Sequence, residues 1–376
     1  MTHIKLKCNE CFNLHDSDMS IVNCELCDGT LDVEYISTQN NQKQINLKNG
    51  MRMIVPLNNP EKFVSLGEGN TPVLRFPRIE KELSLDRVFG KLEFMNPTGS
   101  FKDRGTFMMV SMALESNIDS LVEDSSGNAG ASLSAYCAKT GLKAHIFAPE
   151  SAPASKLGQI KTYGAEVHLI KGSRDYVTSE AKRFYKENNY IYASHVLSPY
   201  YVEGTKTFAY EIANQFDYNL PENIVFPVGN GSLIIGCWKG LNELFNNKKI
   251  DKIPRLHCVQ AEQFVPVIQE IKGDTEKNDL ENPFSVAGGI SVSSPARKKE
   301  VSEIVKNSFG TGVSVSDEEI IEWQKFLARR EGIFCEPTSA TVFAALKKLF
   351  DSNEIESKDS VLLPVTGFGL KDKLFV

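Results

Sequence analysis

The chain is poor in the features that mark nucleic-acid-binding, membrane or exported proteins. Its 42 Lys and Arg are outnumbered by 48 Asp and Glu, for a formal net charge of −6, whereas a polyanionic partner is held by clustered cations. DNA and RNA are therefore not expected partners. No uncharged apolar run approaches the length of a membrane span, and Met1 to Lys7 lacks the apolar core of a signal peptide. These absences point to a cytoplasmic protein with no membrane partner. Internal repeats and low-complexity segments are missing as well, which argues against a solenoid or a disordered tail.

What remains is an ordinary globular composition, 41% hydrophobic and 24% charged over 376 residues. That length is too great for a single core and predicts two or more packed units. The eight cysteines fall into two groups. Cys137, Cys237, Cys258 and Cys335 are scattered and, in a chain without an export signal, read as reduced buried thiols. Cys8, Cys11, Cys24 and Cys27 form two Cys-x-x-Cys pairs, and a polar stretch, Ser37 to Lys48, follows them. Two such knuckles bring four thiolates to one tetrahedral Zn²⁺, and the metal supplies folding energy that so short a segment cannot draw from a core. Four thiolates close the coordination shell, so residues 1–48 read as a structural zinc ribbon with its linker. Glu10, Asp16, Asp18, Glu25, Asp28, Asp32 and Glu34 make it acidic, against a nucleic-acid role.

From about residue 85, short apolar runs alternate with segments of helical period, the sign of βαβ units and a mainly parallel sheet. Strands are expected at Arg87 to Phe94, Ser120 to Glu123, Lys143 to Ala148, Glu166 to Ile170, Asn223 to Pro227, Arg255 to Gln260 and Ser360 to Pro364. A helix over Ser316 to Glu331 carries a capping box, Ser316 with Glu319, and buries Ile320, Trp323 and Leu327 on one face.

Three glycine-containing loops sit where expected strands pass into helices, the ligand-binding end of open α/β sheets. In Asn96-Pro97-Thr98-Gly99-Ser100-Phe101-Lys102-Asp103-Arg104-Gly105 a helix begins near Lys102. The positive end of its dipole, with Arg104 nearby, favours the neutral amine that can attack an aldehyde. Taken alone, such a lysine reads as a solvated surface residue; the other loops reverse that judgement. Ser125-Ser126-Gly127-Asn128-Ala129-Gly130 offers amides and hydroxyls to a carboxylate. Val228-Gly229-Asn230-Gly231-Ser232-Leu233 permits close backbone approach to a phosphate, yet it matches neither the P-loop nor the dinucleotide fingerprint.

Together with Leu66-Gly67-Glu68-Gly69-Asn70-Thr71-Pro72 and Thr366-Gly367-Phe368-Gly369-Leu370-Lys371-Asp372, these loops resemble those of threonine synthases. The resemblance runs from about Leu66 through Lys371, and some members also carry an N-terminal zinc ribbon. It implies two three-layer α/β domains of the fold type II pyridoxal-phosphate enzymes, preceded by the ribbon. Residues 49–93 and 199–376 would form the large cofactor-binding domain and 94–198 a small mobile one, with the cofactor between them, in a homodimer. Lys102 would be the catalytic lysine, bonded to pyridoxal 5′-phosphate as a Schiff base and later moving the α-proton. Asn128 would meet the cofactor's 3-hydroxyl, Gly229, Asn230, Gly231, Ser232 and Leu233 its phosphate, and Thr366 its pyridine nitrogen. Ser125, Ser126 and Gly127 would receive the α-carboxylate of a small amino-acid substrate, with Ser194 a further substrate contact.

The chain departs from the family pattern at three places. Ala129 stands where Thr is usual, Tyr201 where an Arg grips the substrate phosphate, and Phe368 where His is usual. Losing the Arg removes a charge-assisted contact that distinguishes a phosphorylated substrate; His195 and Lys206 are the nearby groups able to compensate. Glu336 either faces the cofactor or merely opens a helix before Pro337. The leading expectation is conversion of O-phosphohomoserine to threonine. The alternatives are a serine or threonine dehydratase, a cysteate synthase-like β-replacement enzyme, or a non-catalytic regulator on the same fold.

Overall fold

The computed structural model describes residues 4–36, 42–47, 50–152, 154–274 and 283–372. Residues 37–41 and 48 of the expected linker lie outside them. The chain divides into two compact units, Met1–Gly69 with Lys102–Thr207, and Asn70–Phe101 with Phe208–Val376.

Met1–Gly69 holds strands β1 (Ile4–Cys8), β2 (Leu14–His15), β3 (Leu31–Tyr35), β4 (Gln44–Asn46) and β5 (Arg52–Ile54). Asn70–Phe101 adds β6 (Val73–Arg75), α1 (Pro77–Leu83) and β7 (Arg87–Lys91). Then come α2 (Asp103–Glu115), β8 (Ser120–Glu123), α3 (Asn128–Thr140), β9 (Lys143–Pro149), α4 (Ala154–Thr162), β10 (Glu166–Ile170), α5 (Arg174–Asn188), β11 (Ile191–Tyr192) and α6 (Pro199–Thr205). The remainder runs α7 (Thr207–Gln215), β12 (Asn223–Pro227), α8 (Ser232–Asn246), β13 (Arg255–Ala261), α9 (Pro266–Lys272), α10 (Lys298–Asn307), β14 (Gly312–Val315), α11 (Asp317–Glu331), α12 (Pro337–Asp351) and β15 (Ser360–Pro364).

In the unit of Asn70–Phe101 and Phe208–Val376 one sheet has the order β14-β13-β12-β15-β7-β6. Its strands are parallel except β6, which closes the edge antiparallel to β7. Parallel strands covered on both faces carry apolar residues continuously rather than alternately, and every residue of β15 is buried. Phe76, Phe343, Val361 and Leu363 lie in the core. Gly90 makes room for the Phe76 ring, since a Cβ there would stand 2.2 Å from it. The capping box of Ser316 and Glu319 is present and starts α11. The expected strand at Arg87 ends at Lys91 rather than Phe94, because Glu93–Met95 turns into a short 3-10 helix.

His257 on β13 is fully buried, with Nε2 facing Asn223 Oδ1 at 3.0 Å and Nδ1 accepting from the Thr311 amide at 3.1 Å. These partners suit only the neutral ring. Burial, and secondarily Arg255, brings its pKa down to about 3. The unfolded chain therefore takes up a proton below its ordinary pKa while the folded chain does not. Stability is full above that value and falls as pH drops toward 3, by up to about 1.4 kcal/mol per pH unit. Urea unfolding between pH 7 and 4 is expected to show this slope in wild type and a shallower one in His257→Gln.

In the unit of Met1–Gly69 and Lys102–Thr207 the main sheet is parallel, in the order β10-β9-β8-β11. Strands β1 to β3 form a small antiparallel sheet and β4 pairs with β5. Tyr35 of β3 donates to Glu203 Oε2 of α6 at 2.5 Å. Glu203 in turn pairs with Lys206 at 2.6 Å, both fully buried. Helices α2 and α6 touch backbone to side chain: a Cβ on Gly204 would meet the Arg104 carbonyl at 2.1 Å, and one on Gly105 the Tyr201 ring at 2.3 Å.

Candidate active site

Strands β12, β15 and β7 are parallel neighbours, so their C-terminal ends share one edge of the sheet. Three of the expected motifs emerge there: the Gly229 to Leu233 turn after β12, Thr366 after β15, and Asn96 to Phe101 after β7. Open α/β sheets bind ligands at this edge.

The Gly229 turn is a tight cradle. Gly231 adopts φ 84° as N-cap of α8, with no side chain capping the helix. A Cβ on Gly231 would lie 2.3 Å from Val301, and one on Gly229 3.0 Å from the Ile290 Cα. The amides of Ser232, Leu233 and Ile234 belong to the first turn of a fifteen-residue helix, where the helical ladder itself supplies no acceptor. That donor set suits a phosphate dianion.

The Thr366 segment is hydrogen-bonded to the Asn96 loop. Phe101 N donates to Thr366 O at 3.0 Å, Phe368 N to Gly99 O at 3.1 Å, and Lys371 Nζ to Thr98 O at 2.6 Å. Asn96 is anchored by its Nδ2 on the carbonyl of buried Glu93 at 2.7 Å. Thr366 is 1% exposed, and its hydroxyl lies 2.9 Å from Ser339 Oγ at the start of α12. Ser339 Oγ also accepts from Gly367 N at 2.9 Å. Ser339 thus orients the Thr366 hydroxyl, a role that reading the sequence missed because the pair stands 27 residues apart. Phe368, at the usual His position, stacks on Phe94 with centroids 5.6 Å apart. Glu336 is buried as N-cap of α12 without capping it through its side chain, and its carboxyl occupies the place of a Gly367 Cβ.

Lys102 follows Phe101 directly and is the N-cap of α2, as its surroundings in sequence predict. Its carbonyl accepts from the amides of Gly105 and Thr106, both at 3.1 Å, from Thr106 Oγ1 at 3.0 Å and from Tyr201 Oη at 3.1 Å. Tyr201 is fully buried. Its hydroxyl therefore holds the backbone of Lys102. Tyr201→Phe is expected to cost roughly 1 kcal/mol of stability and to lower kcat several-fold, checked by urea midpoints and steady-state rates.

The Ser125 to Gly130 turn leaves β8 and opens α3, whose N-cap Gly127 has no side-chain cap bond. Gly130 is obligatory, since a Cβ would sit 1.9 Å from the Ser125 carbonyl. Asn128 is the first residue of α3, with Ala129 buried behind it. Ser194, after the neighbouring β11, is buried, and its oxygen accepts from the amides of Val196 and Leu197, each at 3.3 Å. His195 Nδ1 lies 3.2 Å from both oxygens of Glu123, the last residue of β8. Burial raises the Glu123 pKa, offset in part by His195. Burial also works to raise that of Asp124, but Arg174 and Thr178 outweigh it and the net shift is downward. These acids at the mouth of the turn read in sequence only as a strand end. Lys206 is buried against Glu203, with its Nζ 5.0 Å from the Tyr35 ring centre.

The four N-terminal sulfurs lie within 4.8 Å of one another. Cys8 Sγ to Cys27 Sγ is 3.5 Å and Cys11 Sγ to Cys24 Sγ 3.6 Å. Zinc–sulfur bonds of about 2.3 Å give a tetrahedral edge of about 3.8 Å, so the thiols fit one zinc ion. Amides of Glu10 and Cys11 point at Cys8 Sγ, at 3.4 and 3.5 Å, and His15 Nε2 is 3.3 Å from Cys24 Sγ. A Cβ on Gly29 would press on Cys8 Sγ at 2.9 Å.

Comparison with known proteins matches residues 64–367 to the family described as pyridoxal-phosphate dependent enzyme. A threonine synthase of Methanocaldococcus jannaschii is 36% identical, over 97% of this chain and 92% of its own length. One from Methanosarcina acetivorans is 35% identical, over 98% of this chain and 92% of its own. Among solved structures, a fungal L-serine ammonia-lyase from Rhizomucor miehei superposes with a TM-score of 0.70 at 23% identity, covering 80% of this chain and 94% of that one. Maize serine racemase gives 0.69 at 22%, covering 80% and 88%. These two likenesses establish the fold alone.

Proposed function

The chain belongs to the pyridoxal-phosphate dependent enzymes, alongside the threonine synthases, and from that premise we infer that it is a lyase converting O-phosphohomoserine to threonine. The observation that carries the reading is the Asn96 to Phe101 loop, hydrogen-bonded along Thr366 to Phe368 and delivering Lys102 as the next residue, at the start of α2. When bound, pyridoxal 5′-phosphate supplies an electron sink for charge at the substrate α-carbon, opening its β and γ carbons to elimination and replacement.

The chain's own residues do the rest. The Lys102 amine would hold the cofactor and would carry the substrate α-proton as base and then acid. Backbone amides from Gly229 to Leu233 would hold its phosphate, with Asn230 and Ser232 beside them. Thr366, its hydroxyl set by Ser339, would be the partner of the pyridine nitrogen. Asn128 would be that of the 3-hydroxyl, and Ser125, Ser126 and Gly127 would receive the substrate carboxylate. Ser194, whose oxygen accepts from the Val196 and Leu197 amides, would be a further substrate contact. A structural zinc ion on Cys8, Cys11, Cys24 and Cys27 is supported by the sulfur spacing. A cytoplasmic homodimer is supported by the family resemblance, and the buried free thiols Cys137, Cys237, Cys258 and Cys335 suit a reducing compartment.

The test is to incubate the holoenzyme with O-phosphohomoserine, O-phosphoserine, serine and threonine, following phosphate, 2-oxo acids and amino acids. Threonine and phosphate from O-phosphohomoserine are expected. Formation of a 2-oxo acid from serine or threonine, with no threonine from O-phosphohomoserine, would instead establish a dehydratase.

A further inference from the structure

Strands β9 and β10 pair in parallel with Glu166 opposite His145. Side chains two apart on a strand share a face, so His168 joins Glu166 and His145 on one side of this sheet edge. The three groups converge. His145 Nδ1 and His168 Nε2 are 3.3 Å apart, Glu166 Oε2 is 3.3 Å from His145 Nδ1, and Glu166 Oε1 is 3.6 Å from His168 Nε2. Nitrogen and oxygen ligands bind zinc at about 2.0–2.2 Å, which sets the edge of their tetrahedron at about 3.3–3.6 Å. Each separation is of that size, with Glu166 facing His145 through Oε2 and His168 through Oε1, and one ligand atom of each residue lies within 4.8 Å of the others.

The rings are held rather than free. His145 stacks on Tyr190 at 5.1 Å between centroids and His168 on Phe147 at 4.4 Å, with Phe184 against both. His145 Nε2 is buried and has no hydrogen-bond partner among the described residues, so the ring's polar interactions run through Nδ1 toward this cluster. Burial lowers the pKa of both histidines, offset in part by Glu166. Glu166 is largely exposed and brings a carboxylate to the two rings. Two imidazoles disfavour magnesium and calcium, which take oxygen ligands, and suit zinc, cobalt, nickel or copper.

We propose that His145, Glu166 and His168 form a second transition-metal site, separate from the cysteine cluster, which binds a divalent zinc-like cation with a coordination position open to water and fastens the edge strand β10 to β9. A ligand triangle of this kind at an edge strand also blunts an otherwise open pairing edge.

The proposal is tested on full-length, cofactor-loaded protein equilibrated with Zn²⁺ and dialysed, with metal counted per chain in wild type, His168→Ala and Glu166→Ala. Wild type is expected to hold one zinc more than His168→Ala, and Glu166→Ala to bind that ion at least tenfold more weakly. The result is a difference between proteins, so it does not depend on how many ions the cysteines take. Equal counts and affinities in all three would overturn it. Should a variant fail to fold, anomalous scattering at the zinc edge from wild-type crystals decides. A peak between His145 Nδ1 and His168 Nε2 supports the site, and a peak confined to the cysteines removes it.

Discussion

Replacing Lys102 with alanine is expected to lower threonine formation by at least about 10³-fold, the scale of losing a group that serves as both base and acid, and to abolish the visible absorbance of the bound cofactor. The structure makes this a clean experiment. The Lys102 carbonyl, bonded by Gly105, Thr106 and Tyr201, caps the start of the buried helix α2, and the substitution leaves that carbonyl untouched. Circular dichroism and the thermal midpoint should therefore match those of cofactor-free wild type while turnover disappears. Tyr201→Phe makes the reciprocal change, keeping the amine and removing one support of its backbone, so it should retain the absorbance and lose only several-fold in kcat. A Lys102→Ala protein that still turned over at more than a few per cent of wild type would place the proton transfer on another residue.

The second large effect is expected from the cysteine cluster. Metal binding is folding energy for so small a sheet, beside the burial of Ile4, Leu6, Leu31 and Val33. Stripping zinc with a strong chelator, or Cys24→Ser, is expected to cost more than about 4 kcal/mol, in the range reserved for losing a metal or a buried network. The damage should travel further. Tyr35 Oη is bonded to Glu203, and the Glu203–Lys206 pair is fully buried, so unfolding of β3 leaves a buried ion pair without its hydrogen-bond donor. Helix α6, which carries Tyr201, would loosen with it. Thermal unfolding with and without chelator, alongside metal release and kcat, reads both effects; an unchanged midpoint in metal-free protein would contradict the structural role.

The sheet strands were legible where burial on both faces wrote an unbroken apolar run. Ser120–Glu123, Asn223–Pro227 and Ser360–Pro364 begin and end where the residues indicate, and so does the half-exposed edge strand Glu166–Ile170. The strands before residue 87 were not read from the sequence, nor were two short ones further on. Ile191–Tyr192 is a two-residue pairing, and Gly312–Val315, reading Gly-Val-Ser-Val, has too little apolar content to stand out; both owe their conformation to the neighbouring strand. The motif around Lys102 could be read because turn chemistry and helix start are local. Ser339 could not, since its partner Thr366 is distant in sequence, nor could Tyr201, whose role depends on Gly105 leaving space for its ring. Lys206 looked like a free cation and is an interior one, because Glu203 and Tyr35 enclose it. His145, Glu166 and His168 sit in segments correctly read as strands, but only strand register shows that they meet.

The most direct test of the account is chemical. Holoenzyme reduced with borohydride, digested and sequenced by mass spectrometry should carry the phosphopyridoxyl group on the peptide containing Asn96 to Arg104, at the Lys102 amine and nowhere else. Recovery of the label on a different lysine, or of an unlabelled Lys102 from protein that retains full absorbance before reduction, would contradict it.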